Sequence, residues 1–384
     1  MDDSKFYYGR GTADMFDDYM DFCNYVFGFN GSSKDFKKLL PKLYKEEYHP
    51  VESSYVVVEN GKLKAAVGAY DSEIEICGQR LKCRGIGNVA VHPYARSKGY
   101  MKKLMNMSFE DMKADGVDFS ELGGRRQRYN YFGYEKSGTA YQFSINDDNI
   151  RHTFGTDRKQ RFIYKKISTE NSAELDDIYA LIQKQNYKPI RERKRLFDIL
   201  SSWSASVYVA YEKDRFVGYC TGEKISEIML TCDEDILDFI VGIYDYLGQH
   251  KLEVTLPEFR QVYISKLYLL AEGYSINPSS SFNVLNYRNV LLATVKLKST
   301  YMQLLDGETV LLIHGMAGDE RIKIEIHNGK ISIEYTNEVF DTELSHIEAI
   351  NYLFSPICPI RNIAKPFAKL LLPLPLWIYY PDGV

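Results

Sequence analysis

The chain has 384 residues, 45% of them hydrophobic, which is enough for packed cores in two or three domains. Its formal net charge of -4 argues against nucleic acid as a partner, because that calls for a basic face. The most apolar tract, residues 370–380, is short and broken by Pro373 and Pro375, so no membrane span is expected.

The acidic opening Met1-Asp2-Asp3 leads into no apolar signal segment. Six cysteines (Cys23, Cys77, Cys83, Cys220, Cys232 and Cys358) form no C-x-x-C pair and no set at zinc-ligand spacing with His. Reduced thiols in a cytoplasmic protein, with no metal, are the expectation. The 31 Tyr and 20 Phe read mainly as core and half-buried sheet residues, with some lining clefts.

Residues 14–27 form a helix-like segment. Asp14, Asp17, Asp18 and Asp21 lie along it, either as an attractor of cations or as a solvated face. Residues 53–70 read as a hairpin, with Asn60-Gly61 as the turn between two β-rich runs. Residues 73–77 give a third strand, which leads into a strand over 81–91. Then comes His92-Pro93-Tyr94-Ala95-Arg96-Ser97-Lys98-Gly99, and a helix begins near Ser97. It carries Met101, Leu104, Met105 and Met112 at helical spacing, and Asp115-Gly116 ends it. A strand over 117–122 runs into Gly123-Gly124.

The turn between residues 91 and 101 is the most informative stretch. A strand, a short cationic and glycine-containing turn and a helix start expose backbone N–H groups at the positive end of a helix dipole. That is a site for phosphate or pyrophosphate. His92 is read as a turn residue without catalytic role.

The hairpin recurs at 207–219, with a helix-like segment at 173–186 before it, as the 14–27 segment precedes the first. Two copies of one α/β unit are expected. In the second copy the turn is Thr231-Cys232-Asp233-Glu234-Asp235, which is acidic and would repel phosphate. Only the first copy is expected to bind cofactor. From about Leu297 the texture changes. Strands at 309–313, 322–326 and 331–335, a helical stretch at 343–353 and a proline-rich apolar tail form a third, small α+β unit.

Val89-x-Val91-x-Pro93-x-x-Arg96-x-x-Gly99-Tyr100-Met101 resembles the acetyl-CoA motif of the GNAT N-acetyltransferase superfamily. Residues 123–135, with Tyr129-Asn130-Tyr131-Phe132-Gly133-Tyr134, resemble the next segment of the Eis-type (enhanced intracellular survival) acetyltransferases. The resemblance covers nearly the whole chain. It implies an α+β architecture of tandem GNAT folds plus a sterol-carrier-like α+β domain. Residues 1–150 would be an active, acetyl-CoA-binding unit and 151–296 a degenerate one. Residues 297–384 would be the third domain, its end reaching the active site.

The implied activity is acetyl transfer from acetyl-CoA to a primary amine on a cationic acceptor of aminoglycoside, polyamine or lysine type. Backbone N–H groups of Ser97, Lys98, Gly99, Tyr100, Met101 and Lys102, with the Arg96 and Lys98 side chains, would hold the pyrophosphate. Val89, Ala90 and Val91 would pair with the pantetheine and polarise the thioester carbonyl. By resemblance, Tyr129 is the acid for the departing thiolate. A thiol of pKa about 8.5 and a phenol of about 10 exchange a proton almost evenly.

Gly85-Ile86-Gly87-Asn88-Val89 offers no carboxylate base on the cofactor strand. The resemblance points instead to the α-carboxylate of Val384, ordinarily about 3.5 and raised if buried among apolar groups. Asp382 is a rival base, and a frayed end is the third reading. Two other functions stay open. One is a lipid carrier on a GNAT scaffold. The other is an acyltransferase using a longer acyl-CoA, since N-myristoyltransferases also pair two GNAT domains. A homo-hexamer is implied by the family alone.

Overall fold

A computed structural model of the protein describes residues 6–29 and 35–384. The reading of residues 1–5 as free of a signal segment lies outside them. Among the described residues no helix is long and apolar enough to cross a membrane. The architecture is α+β with tandem GNAT folds followed by a separate four-stranded sheet and its helices.

The first sheet is built by β1 (Phe6–Arg10), β2 (Ser54–Glu59), β3 (Lys62–Ile76), β4 (Gln79–Val91), β5 (Phe119–Leu122) and β6 (Glu135–Ser137). The β2–β3 hairpin turns at Asn60-Gly61, both with positive φ, as the sequence predicts. The third strand expected at 73–77 is the far end of β3, which runs unbroken into the Cys77-Gly78 turn before β4.

The two units exchange strands. After β6 come β7 (Ala140–Asn146), β8 (Ile163–Ile167), β9 (Tyr187–Pro189), β10 (Val207–Glu212), β11 (Arg215–Thr221), β12 (Glu227–Leu230), β13 (Lys251–Pro257), β14 (Gly273–Asn277) and β15 (Ser280–Val284). The first sheet has the order β1-β2-β3-β4-β5-β15-β6, so β15 inserts between two strands of the N-terminal unit. In return, β7 pairs with β13 and β14, and β9 pairs with the end of β3. Ladders therefore cross residue 150, whereas 296 lies inside the Tyr287–Ser299 helix and no ladder between the described strands crosses it. Local periodicity carries no sign of this, because a strand's partner is not written in its own residues.

The sheet of the third unit, β16 (Gly307–Gly315), β17 (Gly318–His327), β18 (Lys330–Tyr335) and β19 (Thr342–Ser345), has longer strands than its apolar runs suggested. Leu311, Ile313, Ile322, Ile324, Ile333 and Leu344 turn one face inward. They share a core with the Tyr287–Ser299 and His346–Phe354 helices and with Leu374, Leu376 and Trp377 of the proline-rich tail. That core draws the chain back from the third unit toward the first.

Candidate active site

The site begins with a defect in β4. Ala90 pairs with Ala66 and Gly87 with Gly68, so Asn88 and Val89 together oppose Val67. Asn88 takes φ 50° in this bulge, a left-handed conformation that Asn tolerates. Its amide is fixed by Tyr19 Oη (3.0 Å) and Cys23 Sγ (2.7 Å) of the Phe16–Gly28 helix. The parallel ladder between β4 and β5 runs from Cys83↔Phe119 to Ile86↔Leu122 and stops there. Beyond it the Gly87–Val91 half of β4 parts from the chain leaving β5 at Gly123. The two strands form a split with an open strand edge.

On one face of the split, Val89 and Val91 pack with Tyr129, Leu104 and Met105 under the Tyr100–Ala114 helix. Ser97 (φ 66°) and Gly99 (φ 77°) both turn left-handed in the loop that enters this helix. The Ser97 conformation is costly for a residue with a side chain, a kind of strain that clusters at binding sites. The first bond of the helix runs from the Lys103 N–H to the Gly99 carbonyl (3.1 Å), so the N–H groups of Tyr100, Met101 and Lys102 point out of it unpaired. Arg96 and Lys102 are exposed beside this turn, and the Lys102 ammonium lies 4.9 Å from the centre of the Tyr131 ring. Two predicted residues differ in detail. The Lys98 ammonium is committed to Glu59 (3.1 and 3.2 Å), as is the Tyr100 hydroxyl (3.1 Å). What these two offer an anion is their backbone N–H.

Tyr129 closes the short Arg126–Tyr129 helix and is buried, its ring lying over Gly124 where any side chain would collide. Its turn is braced from several elements. Glu135 accepts from Arg126 (2.5 and 2.7 Å) and Asn130 (2.7 Å). Asn283 of β15 donates to the Phe132 carbonyl (3.0 Å), and His346 Nε2 to that of Gly133 (3.0 Å). Burial raises the Tyr129 phenol above its ordinary value, against the pull of Arg128, so it stays protonated.

On the opposite face lies Val384, packed with Tyr19, Val56, Tyr70 and Ala90. It sits against β4 itself. A Cβ on Gly85 would lie 2.5 Å from Val384 Cγ2, and one on Gly87 3.2 Å from the Val384 carboxylate carbon. The two glycines that leave the cofactor strand without a carboxylate are what admit Val384 there. The last residues are not frayed. Lys42 Nζ donates to the carbonyls of Pro381 (2.5 Å) and Gly383 (2.6 Å), and Trp203 Nε1 to that of Gly383 (3.2 Å). Burial pushes the Lys42 amine down to about 7, while Asp382 and Glu121 pull it up.

Asp382, the rival base, is held by Arg191. Both its oxygens accept from Arg191 (2.9 and 2.6 Å), which also grips Glu227 (2.8 and 2.7 Å). Asp14, Asp17, Asp18 and Asp21 are exposed on their helix and line neither cavity described next, so they are a solvated face.

Two cavities meet at Val384. One, of about 660 Å³, lies between the middle of β4, Asp71, Asp115 and Arg191–Arg195. The other, of about 950 Å³, is walled by Trp203, Glu223, Glu253, Ser280, Trp377 and Tyr380. Glu121, at the end of β5, faces both. It is buried, accepts from the Ser280 hydroxyl, and burial raises its carboxyl pKa. Glu121, Lys42, Arg191 and Trp203 were not singled out in the sequence. Only Glu121, a charge inside an apolar strand next to Gly123-Gly124, left a local sign.

Residues 8–137 match the family model described as Acetyltransferase (GNAT) domain, and these residues carry the split, the anion turn and Tyr129. The N-terminal unit is thus a GNAT acetyltransferase domain. The whole chain is similar in fold to a GCN5-related N-acetyltransferase from Anabaena variabilis, with TM-score 0.69 and 15% identity, covering 99% of this chain and 100% of that one. One from Kribbella flavida gives 0.66 and 16%, covering 99% and 98%. Eis1 from Mycobacterium abscessus gives 0.62 and 13%, covering 90% and 88%. No curated protein matches the chain.

Proposed function

We propose that the protein is an Eis-type N-acetyltransferase, taking the acetyl group of acetyl-CoA to a primary amine on a cationic acceptor of aminoglycoside, polyamine or lysine type. The observation that carries this reading is the split itself, with the anion turn and Tyr129 on one face and Val384 on the other. A pyrophosphate fits the unpaired N–H groups of Tyr100–Lys102, with Arg96 and Lys102 adding charge. The open edge of Val89, Ala90 and Val91 suits an extended pantetheine arm. When bound, acetyl-CoA supplies the activated thioester.

In this proposal the α-carboxylate of Val384 takes a proton from the acceptor ammonium, and the freed nitrogen attacks the thioester carbon. Strand N–H groups hold the developing oxyanion. As the C–S bond breaks, Tyr129 passes its proton to the sulfur and is reprotonated by the proton the new amide nitrogen sheds. The two cavities that meet at Val384 give an acceptor amine access to it; their linings carry both carboxylates and cations, so the cationic class of acceptor rests on the resemblance. The sterol-carrier-like assignment of the third unit, the cytoplasmic setting and a hexamer remain family-based parts of the proposal.

The test is release of CoA thiol from acetyl-CoA against an aminoglycoside, spermidine and a lysine peptide, with myristoyl-CoA as a second donor. Amine-dependent release from acetyl-CoA is expected. Release from myristoyl-CoA alone would reassign the donor. Absence of both release and millimolar acetyl-CoA binding would overturn the reading in favour of a carrier.

A further inference from the structure

We propose that the central unit, which lacks the anion turn, serves the first unit as a clamp: with Lys42, its Arg191 and Trp203 hold the last residues of the chain in the split. The proposal rests on the reading of Val384 as the base. Its own support is geometric. The 377–384 segment is gripped at four successive points by residues distant in sequence. Tyr187 donates to the Trp377 carbonyl, Lys42 to those of Pro381 and Gly383, Trp203 to that of Gly383, and Arg191 to both oxygens of Asp382. Tyr187, Arg191 and Trp203 all come from residues 151–296, Tyr187 from the β9 strand that pairs with β3.

The grip is built on a buried base. The Arg191 and Glu227 side chains are 1% and 0% exposed, and the Tyr219 hydroxyl also donates to Glu227. Burying a guanidinium between two carboxylates demands all its hydrogen bonds, so its direction is fixed. Glu227 opens β12 and Tyr219 lies on β11, the strands before the acidic turn that replaced the anion site. The degenerate copy has kept its sheet and put a carboxylate on it that orients Arg191. Arg191, Trp203 and Lys42 touch neither strand edge nor anion turn. They are positioning residues, acting on chemistry only through where they place Val384.

The clamp is tested on the full chain with Asp382→Asn and, separately, Trp203→Phe, which removes one donor and keeps an aromatic ring. Asp382→Asn leaves Arg191 paired with Glu227. Carboxypeptidase A trimming of Val384, followed by intact mass, reads release of the segment. kcat and the KM for acetyl-CoA read its consequence. Trimming is expected to quicken about tenfold or more in each variant, with kcat falling by a similar factor and the KM for acetyl-CoA within about twofold of the parent. Trimming and kcat unchanged in both variants would overturn the clamp. Faster trimming at unchanged kcat would support the clamp and overturn the carboxylate base on which its catalytic meaning rests. A loss of kcat without faster trimming would also overturn it.

Discussion

Gly85→Ala is a small change with a calculable result. Gly85 lies in β4 opposite Tyr70 on one side and Glu121 on the other, away from the anion turn. Its new Cβ would lie 2.5 Å from Val384 Cγ2, where ordinary contact begins near 3.4 Å, so Val384 must retreat by about 1 Å. A misplacement of that size at a reacting group costs about 100-fold in rate, or about 3 kcal/mol. The assay is CoA release under saturating amine. kcat is expected to fall about 100-fold while the KM for acetyl-CoA holds. The double variant Gly85→Ala, Val384→Gly removes the colliding methyl groups and keeps the carboxylate, so most of the rate should return. Wild-type kcat in Gly85→Ala, or no recovery in the double variant, would refute the reasoning.

Tyr129→Phe removes the proposed acid and keeps the ring over Gly124, so kcat should fall about 100-fold or more with unchanged thermal stability. Arg96→Ala and Lys102→Ala should each raise the KM for acetyl-CoA about tenfold, a loss of about 1.4 kcal/mol, with kcat nearly constant, and added salt should shrink the difference. His346 gives a pH dependence of stability. Burial pushes its imidazole down to about 4, against the pull of the Gly133 carbonyl, from about 6.5 in the unfolded chain. A depressed folded value means that the unfolded chain binds the proton first. This part of the stability is complete above pH 6.5 and is lost as pH falls toward 4, by about 3 kcal/mol. Urea unfolding of the parent and of His346→Gln between pH 7.5 and 4.5 checks it, the variant lacking that slope.

Local chemistry was legible in the sequence, and partnership across the chain was not. The anion turn could be read because its strand, cation, glycine and helix start are contiguous from Val89 to Lys102. Tyr129 could be read because its turn is fixed by near neighbours, Arg126, Asn130 and Glu135. The hairpins followed from Asn60-Gly61 and from the repeat of that layout in β10 and β11. Nothing local marks β15 as a guest in the first sheet, since its burial is that of any central strand. Nothing in the sequence sets Lys42 apart from Lys37, Lys38 and Lys45, and only its bond to Pro381, 339 residues away, ties it to the end of the chain. Asp382 looked like a base because its type suits one. Its partner Arg191, 191 residues away, left no sign in the sequence. Gly85 and Gly87 looked like an absence of chemistry. They are the space into which Val384 fits.

The central claim is that the cofactor strand borrows its base from the far end of the chain. The most direct measurement adds one alanine after Val384 and follows amine-dependent CoA release together with acetyl-CoA binding. The peptide bond so formed abolishes the carboxylate at Val384 and pushes the new one out of the split. The account predicts that turnover falls about 100-fold or more while acetyl-CoA binds as before. Undiminished turnover in the extended protein would contradict it.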